Sequence, residues 1–280
     1  MKQTPDTRRP LAVSASLYFF DMVALTFMGS FLPLFMNQEF GVDLVGATFW
    51  TGVAMLFRQL SYAVGSPIWG WLSDRVGSTK MLIRVVVGHS IAHVLMFLSR
   101  DIYQFTAFLC LDGAIGAIST PIFALLASTT RPRELPRAIS YVQSAATIGA
   151  LLGPAIGGVL SFYLGFRPTY LAASLIFVSL IPLVLFMRNG SPSKSIEKAE
   201  TQINERNLSF LRFIDLDFVG LALVFASIAF INPIAPLFLR TLGIVGNDQL
   251  LYYTTLFAIL SSVFYVVVNR FIQPIPYVFV

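Results

Sequence analysis

Long apolar runs separated by short polar stretches make up this chain. A helix needs about 20 residues to cross ~30 Å of hydrocarbon. Eight runs meet that length and are predicted to span a membrane: approximately Leu11–Met36, Phe49–Leu72, Met81–Leu98, Phe105–Ser128, Ile139–Leu164, Thr169–Met187, Phe218–Leu239 and Leu250–Val268. The first run is too long for a signal peptide and is expected to be retained.

The one long polar stretch, 189–217, is rich in Ser, Lys, Glu and Asn. Such a composition is typical of a linker between domains. The pattern therefore predicts an all-α membrane protein in three parts. These are a six-helix half (1–188), a cytoplasmic linker (189–217) and two helices of a partial second half (218–280).

Basic residues are distributed unevenly between the two sides of the predicted membrane. The amino terminus and every second loop carry 14 Lys and Arg residues, whereas the opposite loops carry three, Arg100, Arg167 and Arg240. Cytoplasmic loops are enriched in Lys and Arg. We therefore expect a multi-pass protein of the plasma membrane with a cytoplasmic amino terminus, and its net charge of +5 indicates topology rather than nucleic-acid binding.

Composition excludes several classes of protein. The chain is 56% hydrophobic and 12% charged, with a mean hydropathy of +0.76, against about 25% charged residues in a soluble domain. Its single cysteine, Cys110, permits neither a disulfide nor a cysteine metal site. No lysine-containing Gly-rich nucleotide loop occurs. The sequence predicts no enzyme activity, no cofactor and no metal.

The seventh predicted helix repeats part of the first. Phe31-Leu32-Pro33-Leu34-Phe35 matches Ile234-Ala235-Pro236-Leu237-Phe238, and Gly41 corresponds to Gly243 at nearly the same offset. Six helices, a linker and a repeat in the same orientation are typical of transporters built from parallel halves.

A charged segment lies between the second and third predicted helices. It reads Gly70-Trp71-Leu72-Ser73-Asp74-Arg75-Val76-Gly77-Ser78-Thr79-Lys80 and is predicted to be a tight turn. Its spacing resembles the signature between the second and third helices of the major facilitator superfamily of transporters. The resemblance implies that Gly70, Asp74, Arg75, Gly77 and Lys80 form a gating motif that holds one access state closed. Ser78 and Thr79 stand where the family commonly has further basic residues.

The fifth predicted helix carries four glycines and a proline within ten residues: Gly149, Gly153, Pro154, Gly157 and Gly158. Glycines four residues apart let another helix approach closely, and Pro154 removes a backbone hydrogen bond. Tight packing alone is one interpretation. The stretch also resembles the antiporter motif of proton-coupled drug exporters in the same superfamily, and we favour that interpretation.

The fourth predicted helix departs from the family pattern. Gly113, Gly116 and the basic exit at Arg131 and Arg133 resemble the fourth-helix motif, but Leu109 stands where the family has an arginine and Asp112 where it has a glutamine. The resemblance ties that arginine to proton coupling. Other ionisable groups are therefore expected to carry coupling in this chain.

Five Asp, Arg and His residues lie well inside the predicted spans, away from their ends: Asp21, Arg58, His89, His93 and Asp112. A charge at the bilayer centre costs about 3 kcal/mol or more, so each should face a cavity or a partner. Asp21 and Arg58 lie at depths that allow contact, and either a static ion pair or a titrating Asp21 is consistent with the sequence. Asp112 ranks behind Asp21 as a proton carrier.

His89 and His93 are four residues apart and share one helical face. Without a third ligand nearby in sequence, a metal site is weakly supported, and a polar or cavity-lining face is favoured.

These features predict a secondary transporter of the major facilitator type that exports a small hydrophobic or amphiphilic compound in exchange for protons. The alternatives are a truncated fragment without transport, a membrane binding or regulatory protein, and a facilitator or importer of a small metabolite. The partners implied are a small molecule, protons and lipid, with no nucleic acid. The repeat offset places a second copy of the charged segment at about residues 273–283, where the sequence lacks it. We therefore expect residues 1–280 alone not to transport, unless a second copy of the chain completes the cavity.

Overall fold

The computed structural model describes residues 8–27, 29–185, 234–244, 246, 248–257, 260 and 263. Within these ranges every regular element is a helix, as the sequence predicts. The helices are α1 (Arg8–Thr26), a short 3-10 helix (Gly29–Phe31), α2 (Leu32–Phe40), α3 (Leu44–Val76), α4 (Ser78–Leu98), α5 (Ile102–Ile115), α6 (Ser119–Thr129), α7 (Leu135–Leu164) and α8 (Phe166–Leu185). Residues 234–241 and 248–257 are also helical.

Five helical segments of the described chain are long and apolar enough to cross a membrane: Pro10–Phe40, Ser78–Leu98, Ile102–Thr129, Leu135–Leu164 and Phe166–Leu185. Helix α3 is not among them although it has 33 residues. At 1.5 Å per residue it is about 50 Å long. Its length is sufficient, and its polar positions, Arg58 among them, lower its hydropathy.

Two predicted spans are broken rather than continuous. The first changes from α1 to a 3-10 turn and then to α2, where Pro33 stands at the helix start and has no N–H to donate. The fourth breaks between α5 and α6 at Gly116, whose φ of +82° favours glycine. The predicted spans Leu11–Met36 and Phe105–Ser128 thus lie within the membrane-length apolar segments Pro10–Phe40 and Ile102–Thr129, but each is interrupted rather than one continuous helix.

The predicted turn over residues 70–80 is also wrong in extent. Helix α3 continues to Val76 and α4 begins at Ser78, so Gly77 alone connects them. Gly77 has a φ of +94°, and its N–H donates to the carbonyl of Ser73. The residues from Gly70 to Val76 include no proline, and one positive-φ glycine is enough to reverse the chain.

Three helix pairs build the bundle: α1 packs mainly against α7, α4 against α8, and α3 against α5. The core between the pairs is dominated by fully buried aromatic side chains, Phe27, Phe31, Phe35, Phe105 and Phe177.

One arginine ties three spans together at one end of the bundle. Arg167, at the start of α8, lies 2.5 Å from a carboxylate oxygen of Glu39 on α2. Its Nη1 donates to the carbonyl of Ser99, just after α4, at 2.5 Å. A planar guanidinium suits this simultaneous binding of a carboxylate and a helix end.

The described part of the carboxyl-terminal region packs on the helices that precede it. Leu250 and Leu251 are buried in the same core, and Thr255 faces Gly158 of α7. Gly41 and Gly243, paired in the predicted repeat, both follow a helix with positive φ, +67° and +87°. The predicted linker 189–217 and most of the predicted seventh helix lie outside the described residues.

Candidate functional site

An ion pair between α3 and α5 forms the centre of the candidate site. Arg58 Nε donates to Asp112 Oδ2 at 2.9 Å, and the Asp112 side chain is 2% exposed. The two helices meet backbone to backbone here, because a Cβ atom on Gly113 would fall onto the Arg58 carbonyl oxygen. Gly113 thus brings the guanidinium and the carboxylate together.

His89 connects this ion pair to the break in the fourth span. Its Nδ1 lies 2.6 Å from Asp112 Oδ1, and its Nε2 lies 3.1 Å from the carbonyl oxygen of Gly116. The imidazole stacks on the ring of Phe177 from α8, with centroids 5.2 Å apart and planes at 20°. Helices α3, α4, α5 and α8 therefore all contribute to one buried cluster.

His93 lies one turn further along α4. Its Nδ1 is 2.8 Å from the carbonyl oxygen of His89, so Nδ1 carries a proton and donates. The side chain borders a cavity of about 50 Å³. The cavity is lined by Ala24, Leu25, Gly29, Leu32, Met55, Arg58, His93, Met96, Leu109, Asp112 and Tyr170.

That volume holds water but no drug-sized molecule, since ligand pockets usually measure about 300–1,000 Å³. In the part of the chain that the structure describes, no group of three His, Cys, Asp or Glu side chains is placed to hold a metal ion.

Asp21 is the most isolated ionisable group of the site. Its side chain is fully buried in α1, and neither carboxyl oxygen has a hydrogen-bond partner among the described residues. His89, Asp112 and Arg58 lie close enough to interact with it electrostatically. A buried polar group without a partner is costly, so its presence points to a role other than stability.

The predicted ion pair between Asp21 and Arg58 is not formed. Arg58 instead pairs with Asp112, because α3 packs against α5 at Gly113 whereas α1 packs against α7. Asp112, ranked second from the sequence, is therefore the residue at the centre of the network. The structure brings Arg58, His89, His93 and Asp112 together and leaves Asp21 unpaired beside them.

The predicted gating motif lies apart from this cluster. Gly70 and Arg75 are in the last two turns of α3, with the Arg75 guanidinium 3.8 Å from the ring centre of Trp71. Gly77 forms the connection, and Lys80 is exposed in the first turn of α4. The side chain of Asp74 lies outside what the structure describes.

Sequence reasoning missed a second contact across the fourth-span break. Trp69 Nε1 donates to the carbonyl of Ala114 at 2.6 Å, and the guanidinium of Arg84 lies 3.6 Å from the Trp69 ring centre. Trp69 also borders Gly116, where an added Cβ would approach its ring to 3.0 Å. No sequence spacing links these residues, which lie on three different helices.

The glycines of α7 form the closest contact with α1. A Cβ atom on Gly149 would meet the Phe19 carbonyl oxygen, on Gly153 the Thr26 hydroxyl, and on Gly157 the Phe27 carbonyl oxygen. Pro154 is buried within the same helix. The stripe therefore packs α7 on α1, and its antiporter role remains a prediction.

Comparisons with known proteins show what the chain as a whole is similar to. The family model described as Major Facilitator Superfamily matches residues 14–278. The chain is 31% identical over 221 residues to Multidrug resistance protein MdtG of Proteus mirabilis (strain HI4320), covering 78% of this chain and 55% of that protein. It is 30% identical over 243 residues to MdtG of Salmonella arizonae, covering 86% and 60%. The chain thus spans 55% to 60% of the length of these relatives.

Solved structures show the same fold at low identity. A bacterial homologue of the human lysosomal transporter Spinster, inward-facing and unoccupied, matches with a TM-score of 0.64 and 17% identity, covering 92% of this chain and 60% of that one. A D-xylose–proton symporter matches with a TM-score of 0.63 and 15% identity, covering 93% of this chain and 67% of that one. The human organic anion transporter MFSD10 matches with a TM-score of 0.56 and 19% identity, covering 68% of this chain and 51% of that one. These similarities establish the fold alone.

Proposed function

Because the chain belongs to the major facilitator superfamily, a family of multi-pass membrane transporters rather than enzymes, we propose that it acts in proton-coupled export of a small hydrophobic or amphiphilic compound. Transport would proceed by alternating access between two halves. The observation that carries the proposal is Asp21, a fully buried carboxyl group without a hydrogen-bond partner among the described residues.

Asp21 suits a proton carrier because nothing in its described surroundings holds it permanently in one charge state. A carboxylate bound to an arginine, as Asp112 is to Arg58, keeps a partner for its negative charge. Asp21 has no such partner, and its charged form is costly within the membrane. Gaining a proton removes that cost, and losing it restores a negative charge beside the cluster.

The kind of substrate is supported by the relatives and by the composition of the spans. The MdtG relatives are named multidrug resistance proteins. The chain has 26 Phe, 10 Tyr and 3 Trp, and its small cavity is too narrow for a drug. We propose that protons use this cavity inside the six-helix half, and that the compound binds elsewhere, between the halves.

The proposed arrangement follows the predicted division of the chain. Residues 1–188 form the first half, 189–217 a cytoplasmic linker and 218–280 part of the second half. The excess of Lys and Arg in alternate loops supports a cytoplasmic amino terminus and a place in the plasma membrane.

Proteoliposomes containing the 280-residue chain test the proposal. With a second copy of the chain completing the cavity, the proposal predicts saturable, pH-gradient-driven movement of a fluorescent lipophilic cation. Asp21→Asn should abolish its dependence on the gradient, because the amide cannot exchange a proton, and Asp112→Asn should reduce it less. Asp43→Asn is the matched control, since Asp43 is an exposed helix cap whose role asparagine fills equally well.

Full gradient-driven transport by the Asp21→Asn protein would remove Asp21 from this role. Binding of the cation without any gradient-driven movement would favour a membrane binding protein instead. No gradient-driven movement by the unaltered chain would contradict the proposal for residues 1–280 and agree with the sequence-based expectation that one copy of them does not transport.

A further inference from the structure

The two ring nitrogens of His89 both face hydrogen-bond acceptors. Nδ1 faces a carboxyl oxygen of Asp112 at 2.6 Å, and Nε2 faces the Gly116 carbonyl oxygen at 3.1 Å. A neutral imidazole has one N–H donor and one acceptor nitrogen, whereas the imidazolium ion has two donors. An ionised carboxylate and a backbone carbonyl can only accept.

A neutral His89 beside an ionised Asp112 cannot satisfy both contacts, whereas two states with one added proton do. In one, His89 is an imidazolium ion that donates to ionised Asp112 and to Gly116. In the other, His89 is neutral with its proton on Nε2, and a protonated Asp112 donates to Nδ1. Both states contain one proton more than a neutral His89 beside an ionised Asp112.

We infer that His89 and Asp112 share a proton, which holds α4 in contact with the break in the fourth span. This pair is therefore a second protonation site beside Asp21. The shared proton follows from the hydrogen-bond geometry alone, whereas its part in coupling rests on the proposed function. The stacking of the His89 ring on Phe177 supports the charged form, since a cation over an aromatic face is stabilised.

Loss of the shared proton has a local structural consequence. If His89 keeps a proton on Nδ1 for Asp112, then the Nε2 lone pair faces the Gly116 oxygen and the contact becomes repulsive. Gly116 is the positive-φ residue between α5 and α6. Deprotonation therefore releases α4 from the one point where the fourth span is not helical.

The charged and titratable groups around His89 couple this proton to Asp21. Arg58 on α3, Asp112 on α5, His93 on α4, Tyr170 on α8 and Asp21 on α1 make up this set. With His89 protonated, Arg58 and His89 carry two positive charges and Asp112 carries one negative charge. An ionised Asp21 neutralises the positive charge that remains. Protonation of Asp21 removes its negative charge and therefore favours loss of the proton from His89. The two sites should therefore be protonated alternately.

Nitrogen-15 NMR of histidine-labelled protein in lipid bilayers tests the shared proton directly. The chain contains two histidines, so the spectrum holds two imidazoles, and His93→Gln assigns them. At neutral pH we expect His89 to carry protons on both nitrogens and His93 to be neutral with its proton on Nδ1. If the proton resides on Asp112 instead, infrared spectroscopy should show a carboxylic-acid band that Asp112→Asn removes and Asp21→Asn only weakens.

A neutral His89 with its proton on Nδ1, together with no acid band from Asp112, would overturn the inference. The measurement on the unaltered chain suffices if a variant fails to fold. Asp21→Asn supplies the second arm, in which the fraction of doubly protonated His89 should fall at the same pH. An unchanged fraction would contradict the coupling between the two sites. Neither readout involves transport, so the inference and the proposed function can fail separately.

Discussion

A methyl group added at Gly157 should disrupt the contact between α7 and α1. The Cβ atom of Gly157→Ala would overlap the carbonyl oxygen and other atoms of Phe27. A backbone carbonyl cannot rotate away as a flexible side chain can, so the two helices must separate. Gly153→Ala meets the Thr26 hydroxyl, which already donates to the Met22 carbonyl at 2.7 Å, and should be milder.

The expected magnitude comes from two opposing effects. Replacing glycine by alanine within a helix favours the folded state by about 1 kcal/mol. Overpacking a tight contact costs about 1–3 kcal/mol. Gly52 lies in α3, is exposed and would meet nothing within 4 Å, so Gly52→Ala experiences the first effect without the second. The free energies of unfolding of the two variants should therefore differ by about 1–3 kcal/mol.

Thermal unfolding of the purified protein in detergent, followed by the fraction that remains monodisperse, checks this difference. Gly157→Ala should unfold at a lower temperature than the unaltered chain, and Gly52→Ala at an equal or higher one. If Gly157→Ala and Gly52→Ala unfold at the same temperature, the glycine stripe is not a packing surface and our account of the α1–α7 contact is wrong.

Three further predictions concern the cluster, the ion pair of Arg167 and the gating motif. Arg58→Leu should abolish gradient-driven transport in vesicles, because it removes the partner of buried Asp112. Adding Leu109→Arg should restore part of the transport, since both positions line the same cavity. Loss of transport in Arg58→Leu without any recovery in the double variant would contradict this prediction. Arg167→Ala should lower the free energy of unfolding by about 1–3 kcal/mol, because charged hydrogen bonds to Glu39 and the end of α4 are lost, with Arg167→Lys intermediate in thermal unfolding. Asp74→Asn should shift the balance between inward-open and outward-open forms, and unchanged accessibility of introduced cysteines on both membrane faces would count against it.

The helices were predictable from the sequence because lipid imposes a simple length and composition on them. Two breaks were not. Gly116 lies within an apolar run that reads as one helix, and its conformation depends on contacts from Trp69 and His89 on other helices. The change from α1 to α2 could not be predicted either. A proline near the end of an apolar run does not by itself show where the helix stops.

The candidate site was predictable in its members and not in its pairing. Burial cost alone identifies the charged and titratable residues deep within a span. Which of them meet depends on helix packing, and the decisive contact of Gly113 with the Arg58 backbone joins residues far apart in the chain. Asp112 therefore replaces Asp21 as the partner of Arg58.

The distance along the chain between Arg58 and Asp112 also bears on how the protein is made. The two residues are 54 positions apart, and α3 is not among the five segments of the described chain that are apolar enough to cross a membrane by themselves. The ribosome therefore delivers α3 before its counter-charge has been synthesised. A lone arginine in lipid is costly, so we expect α3 to leave the translocation machinery only in company with α5. The second span along the chain would therefore enter the bilayer together with the fourth span, after the third.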